Sequence, residues 1–148
     1  MLKTIRTARV CYLIGSIGFI FIGLLHTVTH WLELAGPALR QRFDEMGLIE
    51  VSGQEVTSWD LFQGTSLLMG FFSMAIGFGA IGALRAVASD GLPPLGTALT
   101  NIVALLGVMA IGVAHLGPIQ IWGGLFGIAM FAPTVLASVR LRRFEPGE

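Results

Sequence analysis

Residues 10–32, VCYLIGSIGFIFIGLLHTVTHWL, decide the fold, because not one Asp, Glu, Lys or Arg interrupts them. Crossing the hydrocarbon core of a bilayer takes about 20 such residues in a helix, so this stretch is long enough to span a membrane. Lys3, Arg6 and Arg9 precede it in the manner of a secretory leader. The apolar run, however, exceeds the roughly 7–15 residues of a leader core, and Glu33-Leu34-Ala35 is a poor cleavage site. The reading is a retained first span over about residues 9–34. Gly36-Pro37 stops it, since glycine caps a helix end and proline cannot continue one.

The rest of the chain has the same character. Hydrophobic residues make up 54% of the 148 and charged residues 12%, about half the charge of an ordinary soluble domain. Three further apolar runs fit spans at about residues 59–84, 96–115 and 119–139. Four spans and their connections use nearly the whole length, so residues 1–148 form one membrane domain. The expected fold class is all-α, a left-handed bundle of four transmembrane helices. Its one substantial loop is residues 36–58. Within that loop, Pro37 to Met46 reads as a short amphipathic helix and Leu48 to Val56, broken at Ser52-Gly53, as a small hairpin. Thr57 followed three residues later by Asp60 is a capping-box start for the second span.

A formal net charge of zero excludes a nucleic-acid footprint, and the lone Cys11 excludes an internal disulfide or a paired-thiol motif. Lys and Arg beside spans resist translocation. Lys3, Arg6 and Arg9 lead the chain, Arg85 follows the second span, and Arg140, Arg142 and Arg143 end the fourth. The long loop holds only Arg40 and Arg42. The expectation is therefore a bacterial inner-membrane protein with the lipid bilayer as its first partner, both termini cytoplasmic, and the loop outside.

In lipid, apolar residues do not separate inside from outside, so small and polar residues at spacings of 3 and 4 carry the packing signal. The second span shows Gln63, Ser66, Gly70, Ser73, Gly77 and Ala80, and the first shows Ser16, Phe19, Gly23, His26, His30 and Glu33. The fourth shows Gln120, Gly123, Gly127, Met130, Thr134 and Ala137, and the third Asn101, Ala104, Val108, Ile111 and His115. Gly123-x-x-x-Gly127 is read first as packing within the chain, with a homo-oligomer seam as its alternative.

With the N-terminus inside, His26, His30, Glu33, Asp60, Gln63, His115 and Gln120 all fall in the outer third. That set holds all three histidines of the chain. His26 and His30 are one turn apart, about 6 Å along the axis, a spacing that lets both imidazoles reach one metal ion, with His115 as a third ligand. Haem b is the other cofactor the pattern admits. Because residues four apart on one helix cannot be opposite axial ligands, haem makes His115 obligatory. Gln63, Asp60, Glu33 and Gln120 are the candidate ligand-binding polar groups around the histidines. The plain readings are that Asp60 caps its helix, Glu33 and Gln120 are hydrated at the interface, and His115 bonds its own helix end. Di-iron and zinc-protease chemistry are disfavoured, because the first needs more carboxylates and the second a Glu where Thr27 follows His26.

The segment WDLFQGTSLLMG at residues 59–70, with Gly23-Leu24-Leu25-His26, resembles an uncharacterised family of small bacterial four-helix integral membrane proteins. The resemblance runs over the whole chain and implies the topology just derived, with no activity, cofactor or substrate. The glutathione-linked eicosanoid enzymes and the sterol-isomerase bundles have similar size and helix count. This sequence lacks the arginine-rich site of the former and the deep acidic pair of the latter. The function expected is an outward-facing, histidine-rich polar pocket that binds a cofactor, a metal or a lipid-like ligand. The alternatives are a membrane-embedded metal- or haem-dependent redox protein, and a non-catalytic subunit that joins a larger membrane complex through its glycine faces. A channel fits less well, since little polar material continues toward the cytoplasm.

Overall fold

The computed structural model describes residues 2–32, 36–51, 53–88, 91–111 and 118–144. In chain order the elements are α1 (Leu2–Trp31), α2 (Pro37–Asp44), β1 (Leu48–Val51), β2 (Gln54–Thr57), α3 (Ser58–Arg85), α4 (Leu95–Ile111) and α5 (Pro118–Phe144). The chain is mostly helical, as its composition demands. Three of the helices, α1, α3 and α5, are long and apolar enough to cross a membrane, and residues 95–110 of α4 make a shorter apolar helix. The rest of the third expected span, residues 112–115, lies outside the described residues.

The loop follows its sequence signals. Pro37 opens α2 at a position where its missing N–H costs nothing. β1 and β2 pair antiparallel with Val51 opposite Gln54, and Gly53 turns the chain at φ 80°, a left-handed conformation that glycine adopts without strain. The spans are longer than hydropathy suggests. α1 starts at Leu2 and α5 continues to Phe144, because Lys and Arg carry their charge into water on long stems and need not end a helix. Hydropathy marks where lipid begins, and the helix runs past it. Pro133 sits within α5, a placement that membrane helices tolerate better than soluble ones.

Burial is inverted relative to a soluble protein. Tyr12, Ser16 and Thr134 are fully buried and Asn101 nearly so, whereas Phe71, Phe72 and Phe78 are more than half exposed. Where lipid is the solvent, apolar side chains gain nothing by hiding and small or polar ones gain close packing and partners. Every described residue of the α3 stripe from Gln63 to Ala80 is buried or half-buried, and so is the α1 stripe from Ser16 to His30.

Packing divides the chain into two compact units, and α1 and α3 each contribute to both. The first comprises Met1–Gly18 and Ile76–Glu148. There α4 lies on α5, with Leu105 seated over Gly127 and Met109 over Gly124. A Cβ on Gly127 would stand 2.7 Å from Leu105 Cδ1. The buried line of α4 is Ala98, Asn101 and Leu105, with Ala104 only half-buried. The expected stripe is buried at Asn101 and half-buried at Ala104 and Val108, and beside it the large Leu105 fills the hole that its glycine partner leaves. Gly123 meets nothing within 4 Å, so only one glycine of the expected Gly123–Gly127 pair packs against a described neighbour. Gly15 lies against Met130 and Phe131, and the Tyr12 ring stands edge-on to Phe131 at 5.1 Å.

The second unit is Phe19–Ala75. Its centre is a crossing of α1 and α3 at Gly23 and Gly70. A Cβ on Gly23 would stand 2.6 Å from the Gly70 carbonyl oxygen and 2.8 Å from the Met74 nitrogen, and one on Gly70 would stand 3.0 Å from the Gly23 carbonyl oxygen. The two nearest obstacles at Gly23 are backbone atoms, which no rotamer change can move, while at Gly70 the Thr27 hydroxyl stands nearer still. Gly23→Ala should therefore lower the stability of the detergent-solubilised protein by about 1–3 kcal/mol, the usual range for overpacking. Gly64→Ala, where the space is open, should leave the thermal unfolding curve unshifted.

Candidate functional site

The candidate site lies in the unit of residues 19–75 and is built from the last turns of α1 and the first turns of α3. α1 ends at Trp31, which leaves its final carbonyls without helical partners. Gln63 supplies one, its Nε2 donating to the His30 carbonyl oxygen at 3.2 Å. The bond ties the two helices together beside the histidines. His30 is buried, and His26, one turn earlier, is half-buried. Their ring centroids are 4.6 Å apart, with the planes inclined by 55°.

Among the described residues, Nε2 of His26 and the hydroxyl of Thr27 are both buried without a hydrogen-bond partner, while the backbone of Ser66 engages the His26 ring. Buried polar atoms in proteins are seldom left unpaired, so each such atom calls for an explanation. Here the imidazole nitrogen is the atom through which histidine binds a metal or bonds a ligand.

An aromatic wall flanks the pair. Phe62 meets His30 edge-on at 5.4 Å and stacks on Phe43 of α2 at 4.6 Å. Trp59 closes the cluster, 5.9 Å from Phe43 and 5.8 Å from Phe62, with the Arg40 guanidinium 5.9 Å above its ring. Trp59 is therefore buried under α2, whereas Trp122 is largely exposed. This wall is only weakly marked in the sequence. Phe43 lies on the apolar side of a short helix, and Phe62 looks like any lipid-facing aromatic.

Of the residues expected at the site, His26, His30 and Gln63 come together. Asp60 is exposed and engaged in the helix cap: Thr57 Oγ1 accepts the Asp60 N–H at 3.0 Å and donates to Asp60 Oδ2 at 2.7 Å. Glu33 and His115 lie outside the described residues, as does the side chain of Gln120. Among the described residues, no three His, Cys, Asp or Glu side chains converge to hold a metal ion. The pair alone offers two imidazoles on one helical face, enough to grip one side of a metal or to bond a polar ligand.

No family model, curated protein or solved structure matches this chain.

Because Thr57 both accepts from and donates to Asp60, Thr57→Ala removes the cap of α3. It should cost about 1 kcal/mol and accelerate amide hydrogen exchange in the first turn of α3, with exchange at Gly70 and beyond unchanged.

Proposed function

We propose that this chain is a four-span membrane protein, its termini in the cytoplasm, whose outward-facing site binds a transition-metal ion through His26 and His30. The observation that carries this reading is the approach of the two imidazoles to 4.6 Å, with a buried His26 Nε2 that has no hydrogen-bond partner among the described residues. Neutral imidazoles are the commonest protein ligands of zinc and copper, and a site with two or three of them leaves positions open for water or substrate. The seven cations at the termini and after the second span, against two in the long loop, support the orientation.

Haem b is the second cofactor considered. The His26 and His30 rings stand side by side and cannot face one another across an iron, so a haem needs His115 opposite one of them. The metal reading makes no such demand and is preferred. The accessory-subunit reading draws support from glycines that meet nothing within 4 Å, among them Gly79, Gly82, Gly107 and Gly123. Such open small-residue surfaces suit the close approach of another helix.

Protein purified from its membrane should carry about one zinc or copper per chain by elemental analysis and show no haem absorbance. The double variant His26→Ala/His30→Ala should lose the metal while keeping its helical circular dichroism. Metal content unchanged in a folded double variant would overturn the proposal.

A further inference from the structure

The opposite end of α1 carries a second feature that the histidine site does not use. An open groove of about 520 Å³ is lined by Leu2, Ile5, Arg6, Arg9, Val10 and Leu13 of α1 with Leu84 of α3, within the size range of about 300–1,000 Å³ typical of small-molecule sites. Its α1 residues recur at steps of 3 and 4, so they form one helical face. Ile5 and Leu84 are its buried floor, and Val10 and Leu13 are its exposed apolar margin. Arg6 and Arg9 are its cations, Lys3 lies one turn before Arg6, and among the described residues none lining the groove is acidic.

Arg9 is fixed in place. Its Nη1 donates to the carbonyl oxygens of Ala88 at 2.8 Å and Gly91 at 2.7 Å. Those two bonds use both Nη1 protons and leave Nε–H and the Nη2 protons of the fork uncommitted by them. Arg6, one turn away on the same face, is exposed. From Arg6 to Leu13 the groove passes from cationic to apolar over about 10 Å of helix. That gradient is the shape of an amphiphile with an anionic head.

We propose that this groove binds an anionic phospholipid of the surrounding leaflet, its phosphate on Arg6 and Arg9 and an acyl chain along Val10, Leu13 and Leu84. Basic pockets beside spans on the cytoplasmic side are suited to anionic headgroups. Topological orientation also asks for cations near a span. It does not ask for a guanidinium locked by two carbonyls at the head of an apolar groove. The assignment rests on the membrane reading and is independent of the metal at His26 and His30.

The test uses the full chain in neutral detergent, titrated with palmitoyl-oleoyl phosphatidylglycerol or phosphatidylcholine and read by native mass spectrometry. One phosphatidylglycerol per chain should be retained, with a preference of about 25-fold over phosphatidylcholine, since Arg6 and Arg9 each contribute roughly a fivefold factor. Raised salt should reduce that preference. Arg6→Gln should cut it about fivefold, Arg6→Lys should keep most of it, and Arg40→Gln in the loop should leave it unchanged. Equal retention of the two lipids by the unaltered chain would overturn the site and leave the membrane reading standing. Retention of neither would overturn both. Displacement of the bound lipid by inorganic phosphate alone would show an anion site without the acyl component and would also overturn the proposal. The His26→Ala/His30→Ala variant should retain phosphatidylglycerol normally.

Discussion

The close approach of α1 and α3 at Gly23 and Gly70 is the constraint on which the unit of residues 19–75 depends. Two helices in lipid gain no hydrophobic free energy by associating, so they associate where backbones can touch. Once Gly23 is set against Gly70, everything one turn further along each helix is fixed. His26 and Thr27 follow Gly23 on α1, and Ser66 and Gln63 precede Gly70 on α3. The antiparallel register therefore brings the histidines to the polar start of α3 and lets Gln63 reach the His30 carbonyl. The loop between the helices lies over this junction. Phe43 of α2 stacks on Phe62, and Ser58 donates both its N–H and its hydroxyl to the Gly47 carbonyl oxygen.

Much of this was legible in the sequence, for reasons that differ by element. The first, second and fourth apolar runs are readable because a span is defined by length and composition, both of which a sequence displays. The Thr57–Asp60 cap and the Ser52-Gly53 hairpin are readable because local bonds within three residues decide them. The small-residue stripes of α1 and α3 are readable because each helix offers the other the same kind of surface. The face of α4 is different, because it depends on a large residue filling a glycine's hole on a neighbour. Leu105 carries no mark that distinguishes it from the exposed Leu106, and Gly124, which meets Met109, lies outside the small-residue stripe of the fourth apolar run. The aromatic wall was hidden for the same reason. In a chain where exposed Phe is the rule, nothing singles out Phe62 until Phe43 is placed on it.

The helix ends show a related limit. Lys3, Arg6 and Arg140 belong to helices that continue past the apolar core, so charge locates the interface without locating the helix terminus. The same cations thus have two readings, as topological markers and as ligands. Arg9 separates them, because a marker needs only its charge and Arg9 is held by directed bonds to two carbonyls.

Among the described residues, four buried polar side chains lack a hydrogen-bond partner: Tyr12, His26, Thr27 and Asn101. Most polar side chains in the spans have local answers. Ser16, Thr29, Thr65 and Ser73 each donate to the carbonyl four residues earlier on their own helix, the usual way a hydroxyl hides in an apolar environment. Thr134 reaches across to the Ala8 carbonyl oxygen. Imidazole has no such option at Nε2, which extends too far from its own backbone to turn back on it. A histidine placed inside a span therefore either finds a partner from another element or keeps an open nitrogen, at a cost of several kcal/mol in hydrocarbon. Replacing His26 with Leu would remove that cost and fit the apolar surroundings. The presence of His26 beside His30, on the stripe where α1 meets α3, is thus a stability concession of the sort that functional groups impose.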